Sequence, residues 1–349
     1  MTQRERGIIL ILIGVVALVV ILAVLILPML EAPAPATSSN VGEIVLQPTL
    51  PPDATQEPTS VGLQPNDPEF DRQWYLPAIG APQAWERLPP DQSRVVVAVI
   101  DSGICASNPD LAGRIVPGMD YVNETSYLAL VGPITDRFLP TDDRIPTLED
   151  AYDHGCAMAN VIAAITNNGI GMAGIAPNAV IMPLKVLTGS GQGSVENTAA
   201  AIRYAVDSGA DIINLSLSLN SGPTDAEVEA ITTAVAYAAE RGIPIVASAG
   251  NTNGGPPAMP ASIESVIAVG SLGPDMRPDA RSAAQGIDVW APGEEIVSAS
   301  IGPTTGRPTY SEFGGASMAA AVATGVLAAT GRLGVQDVNG LPILTMNGG

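Results

Sequence analysis

The single histidine of this chain is the side chain best suited to chemistry near neutral pH. It is His154, in the stretch Asp-His-Gly, and it is the one imidazole among 349 residues. General acid–base chemistry by an imidazole would therefore have to use His154. Asp101 and Ser317 add a carboxylate and a hydroxyl, so the chain holds an acid, a base and a nucleophile in the order Asp, His, Ser.

Each of these three residues lies beside a predicted strand or helix. The uncharged stretch 95–100 runs directly into Asp101, which places the carboxylate at the carboxyl end of a buried strand, where open α/β sheets carry functional groups. His154 lies in the first turn of a predicted helix over 153–166. Ser317 follows a pair of glycines and opens a run of small helix-forming residues, which predicts a serine at a helix N-terminus.

The rest of the folded region alternates between strand and helix patterns. Hydrophobic periodicity and capping signals predict strands at 179–186, 211–217 and 243–247, helices at 195–207 and 224–240, and short strands at 266–269 and 288–290. Strands joined by crossover helices favour a parallel sheet covered on both faces. The predicted fold class is α/β, a doubly wound and mostly parallel sheet with helices on both faces.

The N-terminal 30 residues have the pattern of a membrane segment. Two arginines precede the stretch 7–30, which has no charged residue and is rich in Leu, Ile and Val. At about 1.5 Å rise per residue, this stretch spans a hydrocarbon core of about 30 Å. We expect a transmembrane anchor over 1–30, with the rest of the chain on the extracytoplasmic side of the cell membrane. The alternative is a signal peptide cleaved near Ala34-Pro35-Ala36, which would give a secreted protein.

A second change of composition separates a linker from a folded domain. Residues 31–65 hold seven prolines among Ala, Thr, Ser and Gln and show no apolar period, which is typical of an extended, semi-rigid stalk. Residues 66–349 have the composition of a globular protein. They are enough for one large α/β domain with a substantial core.

The chain is strongly acidic. Its formal net charge is −20, and Lys185 is the only lysine. This charge makes nucleic acid and anionic lipid surfaces unfavourable partners for the part outside the membrane. We therefore expect no nucleic acid partner, and the acidity by itself indicates no particular substrate.

Two cysteines lie close in sequence to the candidate acid and base. Cys105 is four residues after Asp101, and Cys156 is two residues after His154. If the acid and base converge, the sulfurs also come close, and outside the cytoplasm a disulfide and two free thiols are equally open alternatives. A zinc site would need more ligands than two cysteines and a histidine already used in catalysis.

A glycine-rich loop, Gly189-Ser190-Gly191-Gln192-Gly193, lies between a predicted strand and a predicted helix, as a dinucleotide-binding loop does. Its spacing is G-x-G-x-G, which differs from the dinucleotide pattern, and no acidic residue ends the next strand. We therefore predict no nucleotide cofactor.

Several separate segments, in one order, resemble the subtilisin-like serine proteases. The resemblance covers about residues 65–330 and includes Asp153-His154-Gly155 and Gly315-Ala316-Ser317-Met318-Ala319. The other matching segments are 66–70, 73–74, 81–85, 98–104, 108–111, 171–177, 213–216, 247–251 and 291–293. The resemblance implies a monomeric serine endopeptidase that acts on extended or unfolded polypeptides.

The resemblance also implies a role for each matching residue. Ser317 is cast as nucleophile, His154 as general base and then general acid, and Asp101 as the carboxylate that holds the imidazole tautomer. Asn251 matches the family's oxyanion-hole asparagine, which acts with the backbone N–H of Ser317. The residues implied to bind the substrate as an added strand are Ser190, Gly191, Gln192, Leu215, Ser216, Leu217 and Gly250.

A structural calcium site is implied as well. Its ligands would be the side chains of Asp67, Asp110 and Asn168 with three backbone carbonyls, and hard oxygen ligands of this number suit Ca²⁺. The carbonyls belong to Thr166, Ile170 and Met172. The alternative is that 167–169 forms only a turn and Asp110 is only a loop residue.

The chain departs from the family pattern near the implied site. The differing positions are Cys156, Ala157, Asn160, Ala316 and the pair Ala321-Val322, and Ser218 and Leu219 stand where the family usually has glycines. Residues 333–349 lack the long amphipathic helix expected to close the domain. Two hypotheses follow: a membrane-anchored extracytoplasmic serine endopeptidase, or a catalytically silent peptide-binding module on a stalk.

Overall fold

The computed structural model of the protein describes residues 62–122, 125–126, 150, 152–219, 222–301 and 308–347. The predicted transmembrane segment, 1–30, and all but the last four residues of the predicted stalk lie outside these ranges. Within them, no helix is both long enough and apolar enough to cross a membrane.

Twelve strands occur in the described ranges. They are β1 Val95–Asp101, β2 Met119–Asp120, β3 Thr125–Ser126, β4 Ala179–Lys185, β5 Ile212–Leu215, β6 Ile245–Ser248, β7 Val266–Leu272, β8 Val289–Pro292, β9 Ile296–Ile301, β10 Pro308–Phe313, β11 Gly334–Val338 and β12 Leu341–Thr345. Ten of them form one sheet in the order β11-β12-β8-β7-β6-β5-β1-β4-β2-β3. Every neighbouring pair from β12 to β2 is parallel, and only the two outermost pairs are antiparallel.

Six α-helices occur in the same ranges. They are α1 Tyr75–Ala78, α2 Ala81–Trp85, α3 His154–Ala163, α4 Val195–Asp207, α5 Asp225–Ala239 and α6 Ala316–Thr330. The helices cover both faces of the sheet, as alternate side chains of β1 show. Val97 and Val99 pack in a core with α3 and α6. Ala98 and Ile100 pack in a second core with α4 and α5. A strand buried on both faces has to be apolar throughout. The predicted doubly wound α/β fold is confirmed.

The predicted element bounds are close to those of the structure. Helix α4 has the predicted bounds, and the Ser194 hydroxyl caps it by accepting the N–H of Asn197. Helix α3 ends at Ala163, three residues earlier than predicted, because Ala164 turns the backbone to an extended conformation at ψ 145°. Strand β7 continues past the predicted end at 269 and includes Gly270, where a Cβ would lie 2.6 Å from the ring of Trp290 on β8.

Two hairpins were not predicted. Strands β9 and β10 form an antiparallel ribbon that leads into α6, and β10 is only partly buried along its length. Strands β11 and β12 form the C-terminal hairpin, and β12 pairs with β8 through Ile343 and Trp290. In place of a closing helix, the described part of the tail therefore extends the sheet.

The N-terminus of α5 provides a test of local stability. The Thr224 hydroxyl accepts the N–H of Glu227 (3.3 Å), and the Glu227 carboxylate accepts the N–H of Thr224 (2.7 Å). Thr224→Ala removes half of this capping box and is expected to lower the free energy of unfolding by about 1 kcal/mol, measured by urea denaturation.

The matched control is Thr233→Ala, an exposed position inside the same helix. It is expected to change the unfolding free energy by no more than about 0.7 kcal/mol, in the stabilising direction, because alanine has the higher helix propensity. Equal effects of the two substitutions would contradict the capping interpretation.

Candidate active site

Asp101 and His154 are in direct contact. Asp101 is the last residue of β1 and is completely buried, and His154 is the first residue of α3. The imidazole Nδ1 lies 2.8 Å from Asp101 Oδ1 and 2.9 Å from Oδ2. The carboxylate is held in turn by the N–H of Ser102 at 2.7 Å and by the Ser102 hydroxyl at 3.1 Å. This arrangement directs Nδ1 at a carboxylate and leaves Nε2 for another partner.

A second buried carboxylate holds the backbone around His154. Asp150 accepts the N–H of Tyr152 and the N–H of Cys156, both at 2.8 Å, so it binds the chain on either side of the histidine. The bond to Cys156 also satisfies a free N–H in the first turn of α3. Burial raises the pKa of Asp150, whereas the two N–H groups lower it.

A disulfide links the segments that carry Asp101 and His154. Cys105 and Cys156 are bonded, with their Cα atoms 4.9 Å apart, and both are buried. The sequence had left two free thiols as an equal alternative. The structure has the disulfide and not the free thiols. The bond joins the loop after β1 to the first turn of α3.

The electrostatics around His154 favour the imidazolium. Burial by itself would lower the pKa of His154, but the charge and hydrogen bond of Asp101 and the charge of Asp150 outweigh it, so that the pKa is raised. About a quarter of the imidazole stays exposed (26%). The site can therefore stabilise a positive charge on His154 better than water does.

Ser317 is the second residue of α6. Its hydroxyl donates to the backbone carbonyl of Ser216 (2.8 Å), and the Ser216 hydroxyl donates to the carbonyl of Ser317 (2.9 Å). This reciprocal pair ties the start of α6 to the end of β5. Among the hydrogen bonds of the described residues, none joins Ser317 to His154, and such bonds are often unformed in unliganded sites.

Asn251 lies beside the residues that precede Ser317. Its Oδ1 accepts the N–H of Ala316 at 3.4 Å. Gly315 has a positive φ of 122°, and a Cβ there would lie 3.3 Å from Asn251 Nδ2, so glycine suits both the turn and the amide next to it. The amide is thus placed next to the N-terminus of α6.

The two segments expected to contact substrate follow neighbouring strands. Leu215 ends β5, with Ser216 and Leu217 directly after it. Ser190, Gly191 and Gln192 lie in a tight loop after β4, closed by the Thr188 N–H bound to the carbonyl of Gln192 at 2.8 Å. The loop therefore forms a turn.

Gly250, also expected at the substrate site, precedes Asn251 in the loop after β6, with a φ of +85°. Its carbonyl accepts the N–H of Ala283. The N–H of Leu219 donates to the carbonyl of Met259 (2.9 Å), and the Met259–Pro260 peptide bond is cis.

Sequence reasoning overlooked Asp150 and Tyr152. The exposed ring of Tyr152 lies 6.1 Å from the imidazole of His154, centroid to centroid, and against Gly191. The one signal in the sequence was their position four and two residues before the single histidine.

The side chains expected to bind calcium meet at one loop. The Asp67 carboxylate accepts the N–H groups of Asn167 and Asn168 at 2.7 and 3.0 Å. Asp110 accepts Asn168 Nδ2 and the N–H of Met172, both at 2.9 Å. Asp67, Asp110 and Asn168 are therefore brought together, and Asn168 Oδ1 accepts the N–H of Ile170 at 2.8 Å.

This cluster offers carboxylate and carbonyl oxygens, the ligands that a hard cation prefers. Burial raises the pKa of Asp110 to about 6; N–H donors from Met172 and Asn168 oppose the rise, and the charge of Asp67 adds to it. Two buried carboxylates that repel each other are stabilised by a cation with oxygen ligands. The described residues contain no group of three or more His, Cys, Asp or Glu side chains able to hold a metal, so amide and carbonyl oxygens would have to complete the shell.

Comparisons with known proteins agree with this geometry. The model of the subtilase family of peptidases matches residues 92–332. Thermitase of Thermoactinomyces vulgaris is 36% identical over 77% of this chain and 86% of its own length. A thermophilic serine proteinase of Bacillus sp. strain AK1 is 34% identical over 78% of this chain and 61% of its own length. Among solved structures, a protease of Pseudoalteromonas arctica is similar with a TM-score of 0.63 and 28% identity, over 76% of this chain and 86% of that one.

The pKa of the single histidine tests the electrostatics of the site. The groups that face His154 are Asp101 and Asp150, with Asp153 before it and Lys185 opposite Asp101 on β4. Because the charge of Asp150 raises the pKa of His154, Asp150→Asn is expected to move the titration midpoint of the imidazole to lower pH. The midpoint can be read by NMR without assignment, since no other histidine contributes a signal.

The titration is best followed in a Ser317→Ala background. Glu240→Gln removes one negative charge from a side chain that is 75% exposed, and it should leave the midpoint unchanged. A midpoint that stays or rises in Asp150→Asn would contradict the proposed interaction.

Proposed function

The chain belongs to the subtilase family of serine proteases, and from this premise we propose that it hydrolyses peptide bonds of extended or unfolded polypeptides through Asp101, His154 and Ser317. The observation that carries the proposal is the 2.8 Å contact between His154 Nδ1 and the buried carboxylate of Asp101. Support also comes from Ser317, which is hydrogen-bonded at the end of β5, the strand next to β1.

The proposed reaction begins with proton transfer. His154 Nε2 removes the proton of the Ser317 hydroxyl as Oγ forms a bond to the scissile carbonyl carbon. Asp101 accepts the Nδ1 proton in a hydrogen bond, which fixes the tautomer and stabilises the imidazolium. The imidazolium then gives its proton to the leaving amine, and the carbon–nitrogen bond breaks to leave an acyl-enzyme. Water, deprotonated by His154, attacks the ester and releases the acid and free Ser317.

The negative charge that develops on the scissile carbonyl oxygen has to be stabilised by hydrogen-bond donors. We assign this role to Asn251 Nδ2 and the backbone N–H of Ser317. The bond between Asn251 Oδ1 and Ala316 supports it, because it orients the amide, and the positive end of the α6 dipole adds to the stabilisation. Loss of one such donor costs roughly 10²- to 10³-fold in turnover, a magnitude measured in subtilisin itself.

The substrate is proposed to bind as an added strand. Main-chain groups of 190–192 and 215–217 would flank it, and Gly250 would line the adjoining pocket. Side chains at Ser218 and Leu219, where the family usually has glycine, would make this pocket shallower. The N–H of Leu219 is already bonded to Met259, which holds that wall in place. Nothing in the relatives or the site supports the silent binding module.

Calcium is proposed as a structural ion. Asp67, Asp110 and Asn168 would hold it with the carbonyl groups of Thr166, Ile170 and Met172. When bound, it would neutralise the two buried carboxylates and stabilise the loop after α3. No catalytic step depends on it.

The peptidase domain is proposed to work outside the cytoplasm. The disulfide between Cys105 and Cys156 supports this location, because disulfides persist in oxidising compartments. Attachment to the membrane rests on residues 1–30, with cleavage of that segment and secretion as the alternative.

A fluorophosphonate probe and a denatured protein substrate test the function together. The wild-type protein is expected to label and to cleave, and Ser317→Ala to do neither, with turnover lower by about 10⁶-fold as for the nucleophile of subtilisin. Ser208→Ala, at the C-terminal end of α4, is a matched control that should label fully. Labelling of Ser317→Ala, or a folded wild-type protein that neither labels nor cleaves, would refute the assignment.

Thermal unfolding with and without a chelator tests the calcium site. EDTA is expected to lower Tm by roughly 5 to 10 °C relative to free calcium at about 100 times Kd, where binding contributes about 2.7 kcal/mol. Excess calcium should restore Tm, whereas magnesium, which demands a smaller octahedral shell, should not. Asp110→Asn should unfold at the same temperature with and without EDTA. If EDTA leaves the wild-type Tm unchanged at every calcium concentration, the proposed calcium site is wrong.

A further inference from the structure

Arg281 lies where it can connect the two segments that carry the proposed oxyanion donors. One donor, the amide of Asn251, is in the loop 249–255 after β6, here called the Asn251 loop. The other, the N–H of Ser317, follows the segment 314–315, here called the entry of α6. Asn251 and Ala316 are 65 positions apart in the chain, so tertiary contacts have to set the distance between the donors. Arg281 belongs to a third segment, the loop between β7 and β8.

The main chain around Arg281 pairs with the Asn251 loop. The carbonyl of Arg281 accepts the N–H of Asn253 at 2.8 Å. In the opposite direction, the N–H of Ala283 donates to the carbonyl of Gly250 at 3.0 Å. These two bonds lie on either side of Asn251, so they fix the backbone that carries the amide.

The side chain of Arg281 reaches the entry of α6. Its guanidinium forms an ion pair with Glu294, in the loop after β8. The Glu294 carboxylate lies against Gly314, where a Cβ would be 2.6 Å from Oε2. The N–H of Gly315 donates to the carbonyl of Gly293, the neighbour of Glu294, at 2.7 Å. The two glycines that lead into α6 are therefore held by the loop that Arg281 binds.

The ion pair is more than a surface contact. The Glu294 side chain is only 22% exposed, and Arg281 Nε also donates to Asp279 Oδ2 at 3.2 Å, which orients the guanidinium. Burial raises the pKa of Glu294, the hydrogen bond and charge of Asp279 add to the rise, and the charge of Arg281 opposes it. A mostly buried carboxylate that loses its cation is unfavourable. Removal of Arg281 would therefore neutralise Glu294 or displace it from Gly314.

We propose that Arg281 is a positioning residue that holds the Asn251 amide against the entry of α6, so that both donors point to the same carbonyl oxygen. The proposal rests on the proposed function, because the distance between the donors matters only if they stabilise an oxyanion. Such donors act when they lie about 2.7–3.1 Å from the oxyanion. Loosening one segment against the other is therefore expected to lower turnover and to leave substrate binding unchanged.

Steady-state kinetics on a peptide substrate test the proposal. Arg281→Met keeps most of the side-chain length and removes the charge, and it should lower kcat by about 10-fold while KM changes by less than about twofold. Arg281→Lys keeps the charge and should recover most of the lost kcat. The matched control is Arg277→Met, in the same loop: Arg277 is 84% exposed and lies 3.9 Å from Asp275, and its loss should leave kcat unchanged.

Double mutants separate positioning from a general loss of stability. In an Asn251→Ala background the positioned amide is gone, so Arg281→Met should lower the residual kcat by less than about twofold. A merely structural role would lower kcat by the same factor in both backgrounds. Glu294→Gln breaks the same ion pair from the other loop, and it should act like Arg281→Met and add nothing when the two are combined. Equal losses in the two Asn251 backgrounds, or unchanged kcat in both Arg281→Met and Glu294→Gln, would overturn the proposal.

Hydrogen exchange gives a readout that does not depend on turnover. Arg281→Met should speed the exchange of the N–H groups of Asn253 and Gly315, one in each segment, by about 10-fold, whereas Arg277→Met should change neither. If the wild-type protein neither labels nor cleaves but both groups exchange faster in Arg281→Met, the proposed function fails and the link between the segments stands. If cleavage is normal and neither kcat nor exchange depends on Arg281, the link fails and the function stands.

Discussion

The hydrogen-bonded register of the central parallel strands determines where the chemistry can occur. Strand β1 pairs Asp101 with Lys185 of β4 and Val99 with Asn214 of β5, and β5 pairs Leu215 with Ala247 of β6. All four strands therefore end at one edge, and the residues after them form one continuous rim. Since each residue advances a strand by about 3.3 Å, a slip of one position would separate the carboxylate from the imidazole.

Helix α6, which carries the proposed nucleophile Ser317, is tied to this edge of the sheet. Helix α6 is buried along nearly its whole length, and most of its buried residues are alanines or other small residues. Asn214 Nδ2 donates to Thr324 Oγ1 at 2.9 Å, which joins β5 to the middle of the helix, and Gly325 lies against Ile175, where a Cβ would be 2.8 Å from that side chain's Cβ. Small side chains let the helix approach the sheet closely, so Ser317 is positioned by packing as well as by its own hydrogen bond.

The departures from the family pattern around the histidine form one cluster. Cys156 is bonded to Cys105, and Asn160 Nδ2 donates to the carbonyl of Cys156 at 2.9 Å and approaches Cys105 Sγ at 3.0 Å. Asn160 Oδ1 in turn accepts from Asn108, so this buried amide is satisfied. In this chain the disulfide and the hydrogen bonds of Asn160 therefore hold the first turn of α3. They leave the contact between the acid and the base intact.

The sequence by itself determined the α/β class and most strand and helix positions, and it singled out Asp101, His154 and Ser317 as candidates, because hydrophobic periodicity and a single histidine are local signals. The tertiary structure alone decided the disulfide between Cys105 and Cys156, the extension of β7 through Gly270, the hairpin β11–β12 at the sheet edge, and the places of Asp150 and Tyr152 around His154. The disulfide, the pairing of β12 with β8 and the contact of Tyr152 with Gly191 depend on segments far apart in the chain. Propensity and spacing carry no information about such contacts, since their energy exists only once the sheet has brought the segments together.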